Sequence, residues 1–144
     1  MNKQIKTVLA ASLISMFFFS CSNNAHHEDH KQLGTPVVKL NNGAAWTANA
    51  ETTAGINKMI LIIEKSEKKN ESSCKDLGVS LNQEFNQILK KCSMKGEAHE
   101  QLHHYLMPII PVIDKIEQGQ SDDCKTAKDE LKEYLAQYDN YFRS

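Results

Sequence analysis

The sequence has no surplus of positive charge: 17 Lys and Arg stand against 18 Asp and Glu, for a formal net charge of −1. Without a concentrated basic face to neutralise phosphates, nucleic acid is not the expected partner. Long hydrophobic runs are missing as well. The most apolar stretch, TVLAASLISMFFF, is too short to span a bilayer at about 1.5 Å per helical residue. No convincing alternation of apolar and polar residues follows Trp46, so strands are not expected there. The heme-attachment pattern C-x-x-C-H does not occur, although non-covalent heme through His99 or His103 with Met94 stays open. Glu100 and His103 form one Glu-x-x-His motif where a di-iron bundle needs two.

What is present first is an export signal. A basic head, MNKQIK, leads into the apolar run and then Ser20 and Cys21. A small residue directly before a cysteine resembles the lipobox of bacterial lipoprotein precursors, with Phe18 and Phe19 departing from the usual residues just before it. The resemblance implies that residues 1–20 are a cleaved signal peptide and that Cys21 is acylated as the first mature residue. Ser22 resembles the pattern sent on to the outer membrane. Loss of Lys3 and Lys6 leaves the mature chain mildly acidic. Residues 21–45, rich in Asn, His, Gly and Lys, read as a flexible, lipid-anchored tether. Its HHEDH stretch, with His26, His27 and His30, is a polar linker in the simpler reading and a loose metal binder in the other.

Residues 46–144 fall into four segments of helical periodicity. The first, from about Thr47 to Lys68, sets Ile56, Met59, Ile60 and Ile63 on one face. The second, from about Ser73 to Lys95, places Cys74, Leu81, Phe85, Ile88 and Cys92 in steps of three and four, and Gly96 stops it. The third, from about Glu97 to Gln118, carries His99, Leu102, Leu106, Ile109, Ile113 and Ile116. Pro108 and Pro111 predict a kink there that frees the carbonyls of His104 and Met107. Ser121 caps the fourth, whose stripe is Leu131, Tyr134, Leu135, Tyr138 and Phe142. Helices of matched length, roughly 33 Å each, joined by short loops predict an all-α, up-down-up-down four-helix bundle.

That geometry sorts the four cysteines. Cys74 and Cys92 lie on one helix, roughly 27 Å apart, and cannot bond to each other. Cys74 and Cys124 begin the second and fourth helices at the same end of the bundle. A disulfide between them suits an oxidising compartment, provided that two diagonal helices converge there.

Cys92 is left at the other end. The chain reverses at Gly96, which brings Cys92 level with His99, with His103 one turn deeper and Met94 in the turn itself. Thiolate and thioether suit Cu(I), and imidazole suits copper and zinc alike. Cys92, Met94, His99 and His103 therefore form a candidate metal site, copper first and zinc second. The plainer alternative is a buried cysteine, a gap-filling methionine and a histidine at the end of the core.

Two stretches, LNNGAAWTANAETT and CSMKGEAHEQLHHYL, carry a further resemblance. Through Leu40, Asn41, Asn42, Gly43, Trp46, Asn49, Cys92, Met94, Gly96, His99, Leu102 and His103 the chain is similar to a family of small lipoproteins of Bacteroidetes bacteria. The resemblance implies a family and a compartment but no established activity.

His99, Glu100 and His103 also spell the H-E-x-x-H of zinc proteases. The H-x-x-G-x-x-H extension is missing, and Cys92 would tend to close the site instead of leaving a water position. An enzyme is not expected. The reading is a cell-envelope lipoprotein, anchored to the outer membrane, that binds a soft or borderline metal ion for sequestration, delivery or sensing. An envelope metal-transport protein would be its partner. The alternative is a non-catalytic, lipid-anchored helical interaction module that holds no metal.

Overall fold

A computed structural model describes residues 33–69, 73–119 and 121–144. The segment expected to be a signal peptide, Cys21 and the His26, His27 and His30 cluster lie outside the described residues. A two-residue strand, β1 (Trp46–Thr47), precedes five helices: α1 (Ala50–Lys69), α2 (Cys74–Lys91), α3 (Gly96–Leu106), α4 (Ile109–Gln118) and α5 (Ser121–Leu135). A 3-10 turn over Tyr138–Asn140 then leads into β2 (Phe142–Arg143). The chain is mostly helical. α1 packs on α2, α2 on α4, α4 on α5 and α5 back on α1, which closes a ring of four packed helices. Among the described residues no helix is long and apolar enough to cross a membrane.

The stripes supply the core. Ile56, Met59 and Ile63 of α1 are fully buried against Leu81, Phe85 and Ile88 of α2, Ile109, Ile113 and Ile116 of α4, and Leu131, Tyr134 and Leu135 of α5. Local signals set the ends of α2. The Ser73 hydroxyl accepts from the Asp76 amide at 3.1 Å, Asp76 lies in the positive first turn, and Lys90 and Lys91 lie in the negative last turn. Gly55 and Gly78 let helices approach closely. A Cβ on Gly55 would run into the Ile88 side chain, and one on Gly78 would sit 2.5 Å from the Glu117 α-carbon. Lys58 forms an ion pair across α1 and α2 with the buried carboxylate of Glu84.

The third predicted helix is two helices. Pro108 has no amide to give the His104 carbonyl, so α3 ends at Leu106 and α4 starts anew at Ile109. Pro111 falls in the first turn of α4, where its missing donor costs nothing. The Met107 carbonyl is not freed, as it accepts from the Ile110 amide at 3.3 Å.

The fourth predicted helix is also shorter than its stripe, because the chain leaves α5 after Leu135. Tyr138 is buried from the 3-10 turn and Phe142 from β2. β2 pairs in parallel with β1, Trp46 opposite Phe142 and Thr47 opposite Arg143. The Trp46 amide donates to Tyr141 O at 2.7 Å and the Ala48 amide to Arg143 O at 2.8 Å.

Part of the stretch expected as tether is packed structure. Pro36 is buried, and Leu33 and Val38 lie against the core. The Trp46 indole donates to Lys39 O at 2.6 Å, and the Lys39 amide donates to the buried Gln101 side chain at 2.8 Å. Asn42 and Gly43, both at positive φ, turn the chain so that Asn41 bridges Ala44. The polar composition of this stretch serves a tight turn and edge contacts, and the packed unit takes in residues well before Trp46.

Candidate functional site

The two ends of the fold hold the cysteines apart. Cys74, at the start of α2, and Cys124, in the first turn of α5, are joined by a disulfide with α-carbons 6.0 Å apart. Convergence at this end follows from two glycines. Gly78 brings α2 onto the backbone of α4 at Glu117. Gly119, the C-cap of α4, has no room for a side chain beside Lys115 O.

At the opposite end α2 stops at Lys91. Cys92 takes an extended conformation as its C-cap, still donating its amide to Ile88 O at 3.0 Å. Gly96 opens α3 with φ of +62°, a left-handed conformation that costs an L side chain energy and glycine very little. This reversal stacks α3 so that His99 faces Cys92. Asn49 ties the reversal to α1, because its amide nitrogen donates to Lys91 O at 3.2 Å while its side-chain oxygen accepts from the Thr52 hydroxyl at 2.7 Å.

Three of the four candidate ligands are brought together. Cys92 Sγ lies 3.6 Å from His99 Nδ1, and His99 Nε2 lies 3.1 Å from His103 Nε2, with the two rings edge to face at 4.5 Å. Cys92 and His99 are half-buried and His103 is exposed. Cys92 carries the one unpaired thiol among the described residues. Met94 does not join the run of polar contacts, and it packs half-buried against the apolar core. Glu100 and His104 point to solvent.

The order of these contacts decides what the cluster can do. Metal–sulfur and metal–nitrogen bonds of about 2.3 and 2.0–2.1 Å, spanning 3.6 Å, subtend an angle of about 110° at an ion. Two metal–nitrogen bonds spanning 3.1 Å subtend about 100°. Each separation is a reasonable edge of a coordination sphere. The edges use opposite nitrogens of one imidazole, however, whose lone pairs diverge, so one ion takes one edge. Consistent with this, among the described residues no group of three or more His, Cys, Asp and Glu side chains is assembled as a metal cage.

Sequence reasoning missed a part-buried hydroxyl pair between α1 and the 3-10 turn. The Tyr138 hydroxyl shares a hydrogen bond with the Thr53 hydroxyl at 3.2 Å. Its pKa is raised above the ordinary value, chiefly by burial, with the Thr53 bond opposing and the charge of Asp139 adding to the rise. Tyr138 was visible only as one member of an apolar stripe, and Thr53 carried no signal at all.

No protein-family model, curated protein or solved structure matches the chain.

Proposed function

We propose that this chain is a lipid-anchored protein of the cell envelope, related to small Bacteroidetes lipoproteins, that holds one soft metal ion at the α2–α3 reversal. The metal is copper in the first place and zinc in the second, held for sequestration or delivery. The carrying observation is the run of contacts from Cys92 through His99 to His103, in which an unpaired thiol and two imidazoles meet at metal-edge separations. A thiolate with imidazole is a donor set that soft and borderline ions prefer. In this reading the four packed helices are an up-down-up-down bundle, α3 and α4 together forming its third rod, and Cys21 carries the lipid.

The test is thermal unfolding of the purified protein with and without Cu(I) or Zn(II). An ion that binds only the folded chain raises its stability by about 2.7 kcal/mol at a hundredfold excess over Kd. The shift is expected in the native protein and lost in Cys92→Ala and His99→Ala. Equal melting curves with and without metal would refute the reading.

One observation favours a second reading, a protein-docking module. α2 and α4 leave a groove lined by Phe85, Leu89, Ile110 and Ile113 together with Asn82 and Asp114, and Leu89 is 43% exposed. Leu89→Ser should then abolish partner capture and leave metal binding untouched.

A further inference from the structure

Resting on the metal-binding reading above, we infer that the two histidines have different tasks: Cys92 Sγ and His99 Nδ1 are the ligand pair for a single Cu(I), and His103 is a positioning residue that accepts the His99 Nε2–H. The argument starts from the ring of His99, which presents Nδ1 to the thiol at 3.6 Å and Nε2 to His103 at 3.1 Å. The 3.1 Å contact between two ring nitrogens needs a proton between them, donated from one ring and accepted by the other. If His99 donates from Nε2, its Nδ1 carries a lone pair aimed at Cys92. Metal-bound histidines regularly donate their second ring N–H to an outer partner that fixes the ring. His103 occupies that outer place, one turn along the same helix.

Charge then selects the ion. Binding releases the Cys92 thiol proton to solvent, and Cu(I) bonds to the thiolate and to the neutral imidazole without any change of oxidation state. The product is neutral, which suits a half-buried position. Zn(II) at the same two donors would leave a net positive charge and would need two further ligands. Tying Lys91 O to Asn49 holds the backbone beside Cys92, so the pair is presented by fixed elements on both sides.

The experiment uses the full chain with Cu(I) under anaerobic conditions, read by copper K-edge absorption and by chelator competition. The native protein should show sulfur and one imidazole nitrogen as its protein ligands. His103→Ala should keep that set and lose roughly 10- to 100-fold in affinity, and His103→Gln, whose amide oxygen can accept the same N–H, should recover most of the loss. Nitrogen-15 spectra of the metal-free chain should show His99 protonated on Nε2. The inference is overturned if His103→Ala removes a nitrogen from the copper shell, if it costs as much as His99→Ala, or if His99 carries its proton on Nδ1. A native chain that takes up no Cu(I) sinks the metal reading itself, whereas normal uptake with two histidine ligands sinks only this division of tasks.

Discussion

Tyr105 and Tyr134 each donate a hydroxyl to the other's backbone: Tyr105 Oη to Tyr134 O at 3.0 Å and Tyr134 Oη to Tyr105 O at 2.9 Å. The exchange locks the α3 segment carrying the histidines onto the last turn of α5. Tyr105 Oη also reaches Leu135 O at 3.3 Å, satisfying a carbonyl at the helix end that has no partner within the helix. Around it, the rings of Tyr134, Tyr138 and Phe142 sit 5.0, 5.5 and 5.9 Å from that of Tyr105.

Tyr105→Phe keeps the ring packing and removes only the hydroxyl. Tyr134 O keeps the Gln137 amide, so the Leu135 carbonyl is the one left without its donor, which should cost about 1–3 kcal/mol in urea unfolding. A variant as stable as the native chain would show that water replaces the hydroxyl at no loss.

Alkaline pH should unfold the protein through the same cluster. Burial, the largest cause in each case, holds the Tyr105, Tyr134 and Tyr138 hydroxyls above their ordinary value of 10.0, with Tyr134 pushed up to about 12. Raised pKa values mean that the folded chain keeps protons that the unfolded chain gives up. The stability tied to these groups is therefore whole below about pH 10 and drains away as pH climbs from there through the folded values. Absorbance at 295 nm and far-ultraviolet circular dichroism should change together above pH 10. Ionisation of all the tyrosines near pH 10 with an intact helical spectrum would contradict the burial argument.

Gly78→Ala tests the close approach of α2 to α4. The added methyl would sit 2.5 Å from backbone at Glu117, which cannot rotate away as a side chain can. Overpacking of this kind costs about 1–3 kcal/mol, outweighing the gain in helix propensity of about 1 kcal/mol from replacing glycine. A net rise in the melting temperature would mean that the two helices have room to part.

Reducing the Cys74–Cys124 bond opens a loop spanning 50 residues of sequence. The loss of that restraint on the unfolded chain should lower stability by about 2–4 kcal/mol, read as a shift of the urea midpoint on adding a phosphine reductant. Cys74→Ala with Cys124→Ala should reproduce the shift and become insensitive to reductant. No shift in either case would place the two sulfurs apart in solution.

Much of the helical core is legible in the residues. Ile56, Met59 and Ile63, or Leu81, Phe85 and Ile88, recur at helical spacing because burial on one face of a helix demands it, and all are buried in the structure. The same logic overreached at Tyr138 and Phe142. Their spacing continues the stripe, yet they are buried from a 3-10 turn and a strand that pairs with Trp46, almost a hundred residues earlier. A two-residue parallel pairing leaves no alternation to read, since its hydrogen bonds come from distant backbone. Pro108 gave warning of a disturbance but not of its size. At the candidate site, the reversal that brings Cys92 level with His99 follows from helix lengths and Gly96. Which ring nitrogen faces which neighbour depends on rotamers, and residue spacing does not encode them.

The central claim is that one soft ion is held at the Cys92–His99 edge of the α2–α3 reversal, and stoichiometric competition for Cu(I) against a chromophoric chelator tests it most directly. The account predicts one tightly held copper per native chain, lost when Cys92→Ala and His99→Ala are combined. Copper uptake that is absent in the native protein, or unchanged in the double variant, would contradict it.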